Sequence, residues 1–281
     1  MTDIPGHTAT LAAVGRALHL STVHERLIED RLALDLAGEP GVALMAQLTA
    51  TTPIEALEGL GLAFAIRARF VEDMVARSLG AGVAQYVILG AGLDTFALRR
   101  RGLVEKLRVF EVDRAPAQEW NRTRLAELRI PGPHGLTFVP ADFEADALEE
   151  GLLRAGFTSR SPALVSWIAV TQYLSLEAIE RTLRWAAGLP GGSRLVLTYV
   201  VPPEELPELA RAGLAWTRLQ AAARGEPFLS LFSPIEMAAA LRRAGFDTVE
   251  HVSDAELRRV YLAAWPDAPL TGIERMVIAT V

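Results

Sequence analysis

The hydrophobic positions of this chain follow two different spacings. Up to about residue 77, alanine and leucine recur at helical spacing, with breaks at Gly38-Glu39-Pro40-Gly41 and Thr51-Thr52-Pro53. We therefore expect this part to be mostly helical. Beyond it, short apolar runs without polar alternation predict strands that are buried on both faces. The predicted strands are 85–89, 107–112, 136–140, 163–169, 194–200, 248–252 and 275–281.

Helical segments, among them 120–128 and 176–187, separate the first five predicted strands. Such alternation implies right-handed crossovers and a parallel sheet covered by helices on both faces. We interpret the sequence between the last two strands as irregular, which suits an antiparallel pair at one edge of the sheet. The predicted fold class is therefore α/β, with a Rossmann-like, seven-stranded sheet.

Two further segments are expected to extend this sheet. Residues 1–78 are predicted to form a helical N-terminal extension packed on a core domain at 79–281. Inside that domain, a helical insertion spans about 202–234, between Val201-Pro202-Pro203 and Ser233-Pro234. It follows the fifth strand, on the side where α/β sheets bind ligands. The insertion is either a lid over a ligand or a helical pair without a role, and the sequence leaves both open.

Composition narrows the class of protein. The chain has 281 residues, of which 51% are hydrophobic and 22% charged, which is typical of a globular protein with a substantial core. A net charge of −6 offers no broad basic surface for nucleic acid, and we interpret the basic run Arg99-Arg100-Arg101 as a solvated helix end. The lack of cysteine excludes disulfides and thiolate metal sites, and no histidine spacing predicts a metal. With neither a signal peptide nor a membrane span indicated, we expect a cytoplasmic protein without a membrane partner.

The first predicted strand leads into a glycine-rich turn, in the sequence Val87-Ile88-Leu89-Gly90-Ala91-Gly92-Leu93-Asp94-Thr95. Two glycines let the backbone turn tightly and approach a ligand closely. The second strand ends in Asp113, whose carboxylate is placed to hold the two hydroxyls of a ribose. Together, these features predict a nucleoside-containing ligand at the carboxyl ends of the parallel strands.

The turn departs from the pattern of dinucleotide-binding loops. Their third glycine, in G-x-G-x-x-G, would fall at Thr95. Asp94 beside the loop would repel a phosphate but could accept hydrogen bonds from an ammonium group. S-adenosylmethionine has a ribose, an amino-acid tail and no phosphate, and is the cofactor that we predict. An NAD-dependent oxidoreductase shares the strand, the turn and the acid, and is kept as an alternative.

These motifs resemble the leucine carboxyl methyltransferase family, in its bacterial branch of S-adenosylmethionine-dependent methyltransferases. The resemblance covers about residues 8–281. The segments that carry it are Thr8-Ala9, Ala13, Arg16-Ala17, Arg67, Phe70, Glu72-Asp73, Leu89 to Thr95, Phe110 to Asp113, Pro140-Ala141-Asp142, Tyr173-Leu174, Gly225-Glu226-Pro227 and Ala244-Gly245-Phe246. The resemblance implies a class I methyltransferase fold and an enzyme that transfers methyl groups (EC 2.1.1 type).

The resemblance also implies roles for single residues. Arg67 would pair with the methionine carboxylate of the cofactor, with nearby Arg69 as a competitor for this role. The alternative for Arg67 is a surface ion pair with Glu72 or Asp73. Asp142 would accept a hydrogen bond from the adenine amino group, unless it caps the following helix. The predicted cofactor-binding residues are Arg67, Gly90, Ala91, Gly92, Asp94, Asp113, Asp142 and Gln172.

Two positions depart from the family pattern. Phe96 stands where members commonly have arginine, and Ile168 stands where they usually have glutamate, five residues before Tyr173. The second departure argues against methylation of a protein's terminal carboxylate. Gln172 or Thr171 is a candidate for a replacement polar contact at the end of the fourth strand. No metal ligands are predicted.

The predicted function is S-adenosylmethionine-dependent O-methylation of a small-molecule carboxylate or hydroxyl acceptor. Catalytic residues are not identified by the sequence. Tyr173 and Tyr199, near the ends of the fourth and fifth strands, are the candidates for the acceptor pocket, although packing explains either equally well. A non-catalytic binder of S-adenosylmethionine is the second alternative. Neither the acceptor nor the oligomeric state follows from the sequence.

Overall fold

The computed structural model of the chain describes residues 5–22, 26–145, 148–263, 265, 268 and 270–281. These residues form a seven-stranded sheet in the order β3-β2-β1-β4-β5-β7-β6. The strands are β1 (Gln85–Leu89), β2 (Arg108–Asp113), β3 (Leu136–Pro140), β4 (Leu164–Trp167), β5 (Arg194–Val200), β6 (Thr248–His251) and β7 (Glu274–Thr280). The seven predicted strands are therefore confirmed.

Strand direction follows the prediction at the parallel end and refines it at the other. β1 pairs in parallel with β2 and β4, and β2–β3 and β4–β5 are also parallel. β7 lies between β5 and β6 and is antiparallel to both. The order of the strands reverses between β1 and β4, and ligands bind at this kind of switch point in open α/β sheets.

Helices flank the sheet and precede it. The helices are α1 (His7–Thr22), α2 (Ala33–Thr51), α3 (Ile54–Gly80), α4 (Phe96–Arg99), α5 (Arg101–Val104), α6 (Ala115–Glu127), α7 (Leu148–Arg154), α8 (Leu176–Ala187), α9 (Glu208–Ala222), α10 (Pro234–Ala244) and α11 (Asp254–Tyr261). One expectation was wrong. The link between β6 and β7 contains α11 and is not irregular throughout.

The two predicted breaks in the N-terminal helical part have different outcomes. At Gly38 the chain has a φ of 62°, and α2 is kinked there without ending. At Thr52-Pro53 the helix does end, because Thr52 is extended, and Pro53 is the N-cap residue of α3. Together, α1 and α3 bring residues from the start of the chain to the carboxyl edge of the sheet.

The core has one apolar cluster on each face of the sheet. Successive side chains of a strand point to opposite faces, and β1 shows this directly. Val87 and Leu89 lie in one cluster, and Tyr86 and Ile88 lie in the other. All five residues of β1 are buried. Apolar packing therefore occupies both faces, and the carboxyl ends of the strands are left for polar chemistry.

The predicted insertion contains one α-helix. Pro203–Glu205 form a 3₁₀ turn, α9 follows, and the chain then runs without regular structure to α10. A capping box ends this stretch, because Ser233 accepts from the Glu236 amide while the Glu236 carboxylate accepts from the Ser233 amide.

Candidate functional site

A cavity of about 1050 Å³ opens at the carboxyl ends of β1, β2 and β4. This volume is at the upper end of small-molecule sites, which leaves room for a cofactor and a second molecule. The predicted cofactor-binding residues all line it: Arg67, Gly90, Ala91, Gly92, Asp94, Asp113, Asp142 and Gln172. The structure thus brings these residues together, and their individual roles stay predictions.

The glycine-rich turn forms the floor of this cavity. Gly90 and Gly92 have φ values of 67° and 52°, a region that favours glycine. The amides of Gly90 and Ala91 both donate to the Val112 carbonyl, at 2.8 and 3.1 Å. A Cβ on Gly90 would lie 2.3 Å from a methyl group of Val170. Only a residue without a side chain fits this turn, so the turn keeps its backbone exposed to a ligand.

Asp113 closes the end of β2 against the same turn. Its Oδ2 accepts from the Gly92 amide at 2.6 Å, and its Oδ1 accepts from the Arg114 amide at 2.7 Å. Burial raises the pKa of Asp113 in spite of these two hydrogen bonds and the Arg114 charge. A carboxylate oxygen has more than one acceptor position, so both oxygens can still accept from a ligand.

Asp94 is committed to the shape of the loop. Its Oδ1 accepts from the Phe96 amide at 2.6 Å, two residues on. Burial raises the pKa of Asp94, although the Arg16 and Arg99 charges oppose the shift. The carboxylate therefore holds the turn that connects β1 to α4, and it lines the cavity with what remains of its acceptor capacity.

Arg67 faces the cavity from α3. Its guanidinium pairs with Glu274 of β7, donates from Nε to the Ala63 carbonyl at 3.0 Å, and lies 4.4 Å from the centre of the Phe64 ring. Burial lowers the pKa of Arg67 to about 10, so it is charged at neutral pH. The ion pair expected from sequence, with Glu72 or Asp73, is not formed by this residue.

The competitor Arg69 is accounted for by another contact. It pairs with Asp73 at 2.9 Å on the exposed side of α3, and its Nη1 donates to the Leu27 carbonyl. Among the described residues, the cavity lining includes Arg67 but not Arg69.

Asp142 and Gln172 lie at the ends of β3 and β4. Asp142 Oδ1 accepts from the Glu144 amide at 2.9 Å, so it shapes the turn before α7 while it lines the cavity. Gln172 donates from Nε2 to the Ala169 carbonyl at 3.1 Å, and its Oε1 is buried without a hydrogen-bond partner. Ala169 itself has a φ of 59°, a strained conformation that is frequent at functional sites.

The two tyrosine candidates separate in the structure. Tyr173 lines the cavity and packs edge-on against Phe228 of the insertion, with ring centres 5.2 Å apart. Tyr199 is not among the described residues that line the cavity. Its hydroxyl lies 3.0 Å from His251 Nδ1, on the far side of β5. The expectation that Tyr199 belongs to the acceptor pocket is therefore corrected, and core packing explains this residue.

A buried network of ion pairs lies beneath the loop between β1 and α4. Asp30, whose side chain is fully buried, pairs with Arg16 at 2.7 Å and with Arg99 at 3.5 Å, and it accepts from the Thr95 hydroxyl at 2.6 Å. Arg16 also donates to the Leu93 carbonyl at 2.6 Å. Side chains from α1 and from the segment before α2 thus fix the loop between β1 and α4.

The interpretation of Arg99-Arg100-Arg101 as a solvated helix end was wrong for its first member. The Arg99 side chain is only 12% exposed and pairs with Glu72 at 2.7 Å as well as with Asp30. The Glu72 and Asp30 carboxylates raise the pKa of Arg99, against the effect of burial. Arg101 is exposed and donates to the Pro131 carbonyl, as expected for a solvated position.

The two departures from the family pattern both place an apolar side chain at the cavity. Phe96 is buried and packs edge-on against Tyr86, with ring centres 5.2 Å apart. Ile168 lines the cavity directly after β4, where an acid was expected from the resemblance. The wall of the cavity is therefore uncharged at this position.

Sequence reasoning missed several residues of the cavity. His7 and Glu226 both line it, and Glu226 Oε2 accepts from the Thr8 amide at 3.1 Å, which joins the insertion to the start of α1. Arg16 and Glu226 carried the resemblance, so a signal for them existed in the sequence. Glu274 had none.

The described residues offer neither a metal site nor a membrane-spanning helix. Within the described part of the chain, no three or more histidine, aspartate or glutamate side chains are placed to hold a metal ion. The helices of the same residues include none that is long and apolar enough to cross a membrane.

Comparison with known proteins identifies the fold and the family. The family model described as leucine carboxyl methyltransferase matches residues 9–187. A Bacillus subtilis protein named "Putative S-adenosyl-L-methionine-dependent methyltransferase YktD" is 31% identical over 198 residues, which are 70% of this chain and 65% of that protein. A Mycolicibacterium smegmatis protein named "Putative S-adenosyl-L-methionine-dependent methyltransferase" is 34% identical over 213 residues, which are 71% of this chain and 68% of that protein. The matches thus span about two thirds of these relatives' length.

Solved structures confirm the fold. A DUF574 family protein from Streptomyces avermitilis has a TM-score of 0.62 at 17% identity, with 98% of this chain and 97% of that chain covered. A protein from Thermobifida fusca, whose structure is described as that of a "putative methyltransferase", has a TM-score of 0.60 at 22% identity, with 98% and 94% covered. The predicted class I methyltransferase fold is therefore confirmed.

Proposed function

Since the chain belongs to the leucine carboxyl methyltransferase family, we propose that it transfers the methyl group of S-adenosylmethionine to an oxygen atom of a small-molecule carboxylate or hydroxyl acceptor. The observation that carries this proposal is the junction of the Gly90–Gly92 turn with the Asp113 carboxylate beside a cavity large enough for two molecules.

The residues of the cavity fit each part of this cofactor. Asp113 would accept hydrogen bonds from the ribose hydroxyls, and Asp142 from the adenine amino group. Arg67 would pair with the methionine carboxylate, since a guanidinium matches this planar group. The turn, which cannot accommodate a Cβ at Gly90, would pass beneath the ligand. The unpartnered Gln172 Oε1 provides one more acceptor on the wall.

The same charges disfavour a dinucleotide. Asp94 faces the part of the cavity next to the turn, where a pyrophosphate would have to lie. Its carboxylate repels that group, and Thr95 replaces the third glycine of the dinucleotide loop. The amide of Gly92, which could serve a phosphate, already donates to Asp113. These features favour a nucleoside without phosphates over NAD.

The remainder of the cavity supports an apolar acceptor. Its walls include aliphatic and aromatic side chains from the N-terminal helices and from the insertion: Leu44, Leu48, Leu60, Phe64, Trp216 and Phe228. Ile168 continues this surface after β4. A small hydrophobic molecule with one carboxylate or hydroxyl suits such walls better than the polar terminus of a protein chain does.

We propose that the insertion at about 202–234 acts as the lid of this site and packs against the helical extension of residues 1–78. The Thr8 amide donates to the Glu226 carboxylate, and the Leu229 amide donates to the Gln172 carbonyl at 2.7 Å. These contacts bring the insertion onto α1 and onto the end of β4. A closed lid excludes water, which would otherwise compete with the acceptor.

The chemistry asks little of acid–base groups. The cofactor, when bound, supplies an activated methyl group, and the chain has to align an oxygen with it and exclude water. Alignment can lower the barrier by about 7–11 kcal/mol. A carboxylate acceptor needs no base, whereas a hydroxyl acceptor would gain from one.

The net charge of −6 and the lack of cysteine support a cytoplasmic, small-molecule reaction over action on nucleic acid.

We expect Tyr173 to contribute little to catalysis. Burial raises the pKa of the Tyr173 hydroxyl to about 12, so it is protonated at neutral pH and cannot act as a base. Tyr173→Phe should therefore lower kcat/KM at most about tenfold, the effect of one lost hydrogen bond, with an unchanged pH profile. Steady-state kinetics from pH 6 to 10 measures this. The disappearance of an alkaline limb from the profile would contradict the assignment.

The reaction is tested with S-adenosylmethionine labelled in its methyl group. Purified protein is incubated with separate panels of apolar carboxylic acids, phenols and alcohols, and with a peptide that ends in leucine. Transfer of label to a small acid or hydroxyl, with release of S-adenosylhomocysteine, supports the proposal. Transfer only to the peptide would contradict the acceptor class. Binding of the cofactor without transfer to any panel would instead indicate a non-catalytic binder.

A further inference from the structure

Glu274 is a charged residue of the cavity that the proposed function does not use. It begins β7, and because β7 is antiparallel to β5, Glu274 pairs with Val200 at the carboxyl edge of the sheet. Its side chain is 17% exposed. The Oε2 atom pairs with Arg67, while Oε1 is buried and has no hydrogen-bond partner.

A buried carboxylate oxygen without a partner is costly, and few native proteins keep one without a reason. Burial removes the water that would otherwise hydrogen-bond to this oxygen, and the Arg67 contact uses the other oxygen of the group. A ligand that places a donor at Glu274 Oε1 would satisfy the group. A positively charged donor would do so best, because charge-assisted hydrogen bonds are the strong ones.

We propose that Glu274 is the binding site for the ammonium group of the cofactor's amino-acid tail. This inference rests on the proposed function, in which Arg67 holds the carboxylate of the same tail. In an α-amino acid, the ammonium and the carboxylate are attached to one carbon atom. A side chain in contact with Arg67 is therefore within reach of the ammonium group. The Arg67–Glu274 pair is complementary to a zwitterion, cation to carboxylate and anion to ammonium.

The other carboxylates beside the loop are already engaged. Asp94 Oδ1 accepts from the Phe96 amide, and its charge is opposed by Arg16 and Arg99. Asp113 accepts from two backbone amides, one at each oxygen. Glu274 alone of these three combines a contact to Arg67 with a buried, unpartnered oxygen. The ammonium contact expected from sequence at Asp94 is thus assigned to Glu274.

The test compares ligands that differ in one group. Glu274→Gln and wild type are titrated calorimetrically with S-adenosylhomocysteine, with its desamino analogue, in which hydrogen replaces the amino group, and with methylthioadenosine, which lacks the tail. We expect Glu274→Gln to weaken the binding of S-adenosylhomocysteine by about tenfold or more, because a charge-assisted hydrogen bond is lost. The affinities for the other two ligands should change by less than about threefold. Methylthioadenosine also reports whether the variant site is folded.

A matched control separates this contact from a general change of charge. Glu58→Gln removes the same charge from an exposed residue of α3 that is not among the described residues lining the cavity. It should leave all three affinities unchanged. An equal loss for S-adenosylhomocysteine and its desamino analogue in Glu274→Gln would show that Glu274 only orients Arg67, and would overturn the assignment. If the wild type binds none of the three ligands, the proposed cofactor is itself wrong.

Discussion

Replacing Asp113 by alanine is expected to weaken S-adenosylmethionine binding by about a hundredfold or more. In the proposed complex, one carboxylate accepts hydrogen bonds from two ribose hydroxyls, and each hydrogen bond to a charged group contributes about 1.5–3 kcal/mol. The two together correspond to at least two orders of magnitude in Kd. The variant also frees the Gly92 amide, which Asp113 Oδ2 holds at 2.6 Å in wild type. Calorimetric titration measures the loss.

Two variants make this result specific. Asp113→Asn keeps the size of the side chain and one acceptor oxygen, so we expect an intermediate loss. Asp254→Ala removes an exposed acid that lines the cavity from α11, and it should change Kd by less than about threefold. Equal affinity in Asp113→Ala and wild type would contradict the placement of the ribose at the end of β2.

Replacing Asp30 by asparagine is expected to lower the free energy of unfolding by about 3–5 kcal/mol. This is the usual effect of removing one partner from a buried ion pair, because the other charge stays buried without compensation. Asp30 is the shared partner of Arg16 and Arg99, and it accepts from the Thr95 hydroxyl of the loop. Urea denaturation of both proteins measures the difference.

The control for Asp30 is an exposed ion pair. Glu150 and Arg154 lie four residues apart on the surface of α7, at 3.6 Å. Because water and salt screen such pairs, Glu150→Gln should change stability by less than about 1 kcal/mol. If Asp30→Asn also lowers the free energy of unfolding by less than about 1 kcal/mol, the ion network beneath the loop is not essential to the fold.

The Asp30 effect should also depend on pH. Burial raises the pKa of Asp30, but the Arg16 and Arg99 charges and the Thr95 hydrogen bond outweigh it, so the pKa is lowered. A carboxyl whose folded pKa lies below its unfolded value, near 3.9 for aspartate, stabilises the fold above that value. This contribution is lost as the pH falls through the lower, folded pKa. The difference between wild type and Asp30→Asn should therefore shrink in strong acid.

The strands could be predicted because their signal is local. β1 reads as an unbroken apolar run, and all of its residues are buried between two layers of helices. α11 was missed although its start also carried a local signal. Ser253 caps this helix by accepting from the Glu256 amide at 3.1 Å, a serine–glutamate spacing that is typical of helix starts. The helix that follows has Leu257, Val260 and Tyr261 at helical spacing, but its eight residues are fewer than a periodic pattern needs to be recognised.

The charged partners could not be predicted because they are distant in sequence. Arg67 meets Glu274 across 207 positions, and Asp30 meets Thr95 across 65. A run of arginines is typical of a solvated helix end. Nothing near Arg99 in sequence indicates that it forms buried ion pairs with Asp30 and Glu72. The turn and Asp113, by contrast, lie at the ends of two adjacent, recognisable strands. Their proximity follows from the parallel sheet itself.

We propose that the site at the carboxyl edge of the sheet binds S-adenosylmethionine. Calorimetric titration of the purified protein with S-adenosylmethionine, S-adenosylhomocysteine and NAD tests this, with Asp113→Ala titrated in parallel. We expect both sulfur nucleosides to bind to wild type, the variant to lose this binding, and NAD not to bind. Binding of NAD alone would overturn the proposal and would place a hydride-transfer cofactor at this site.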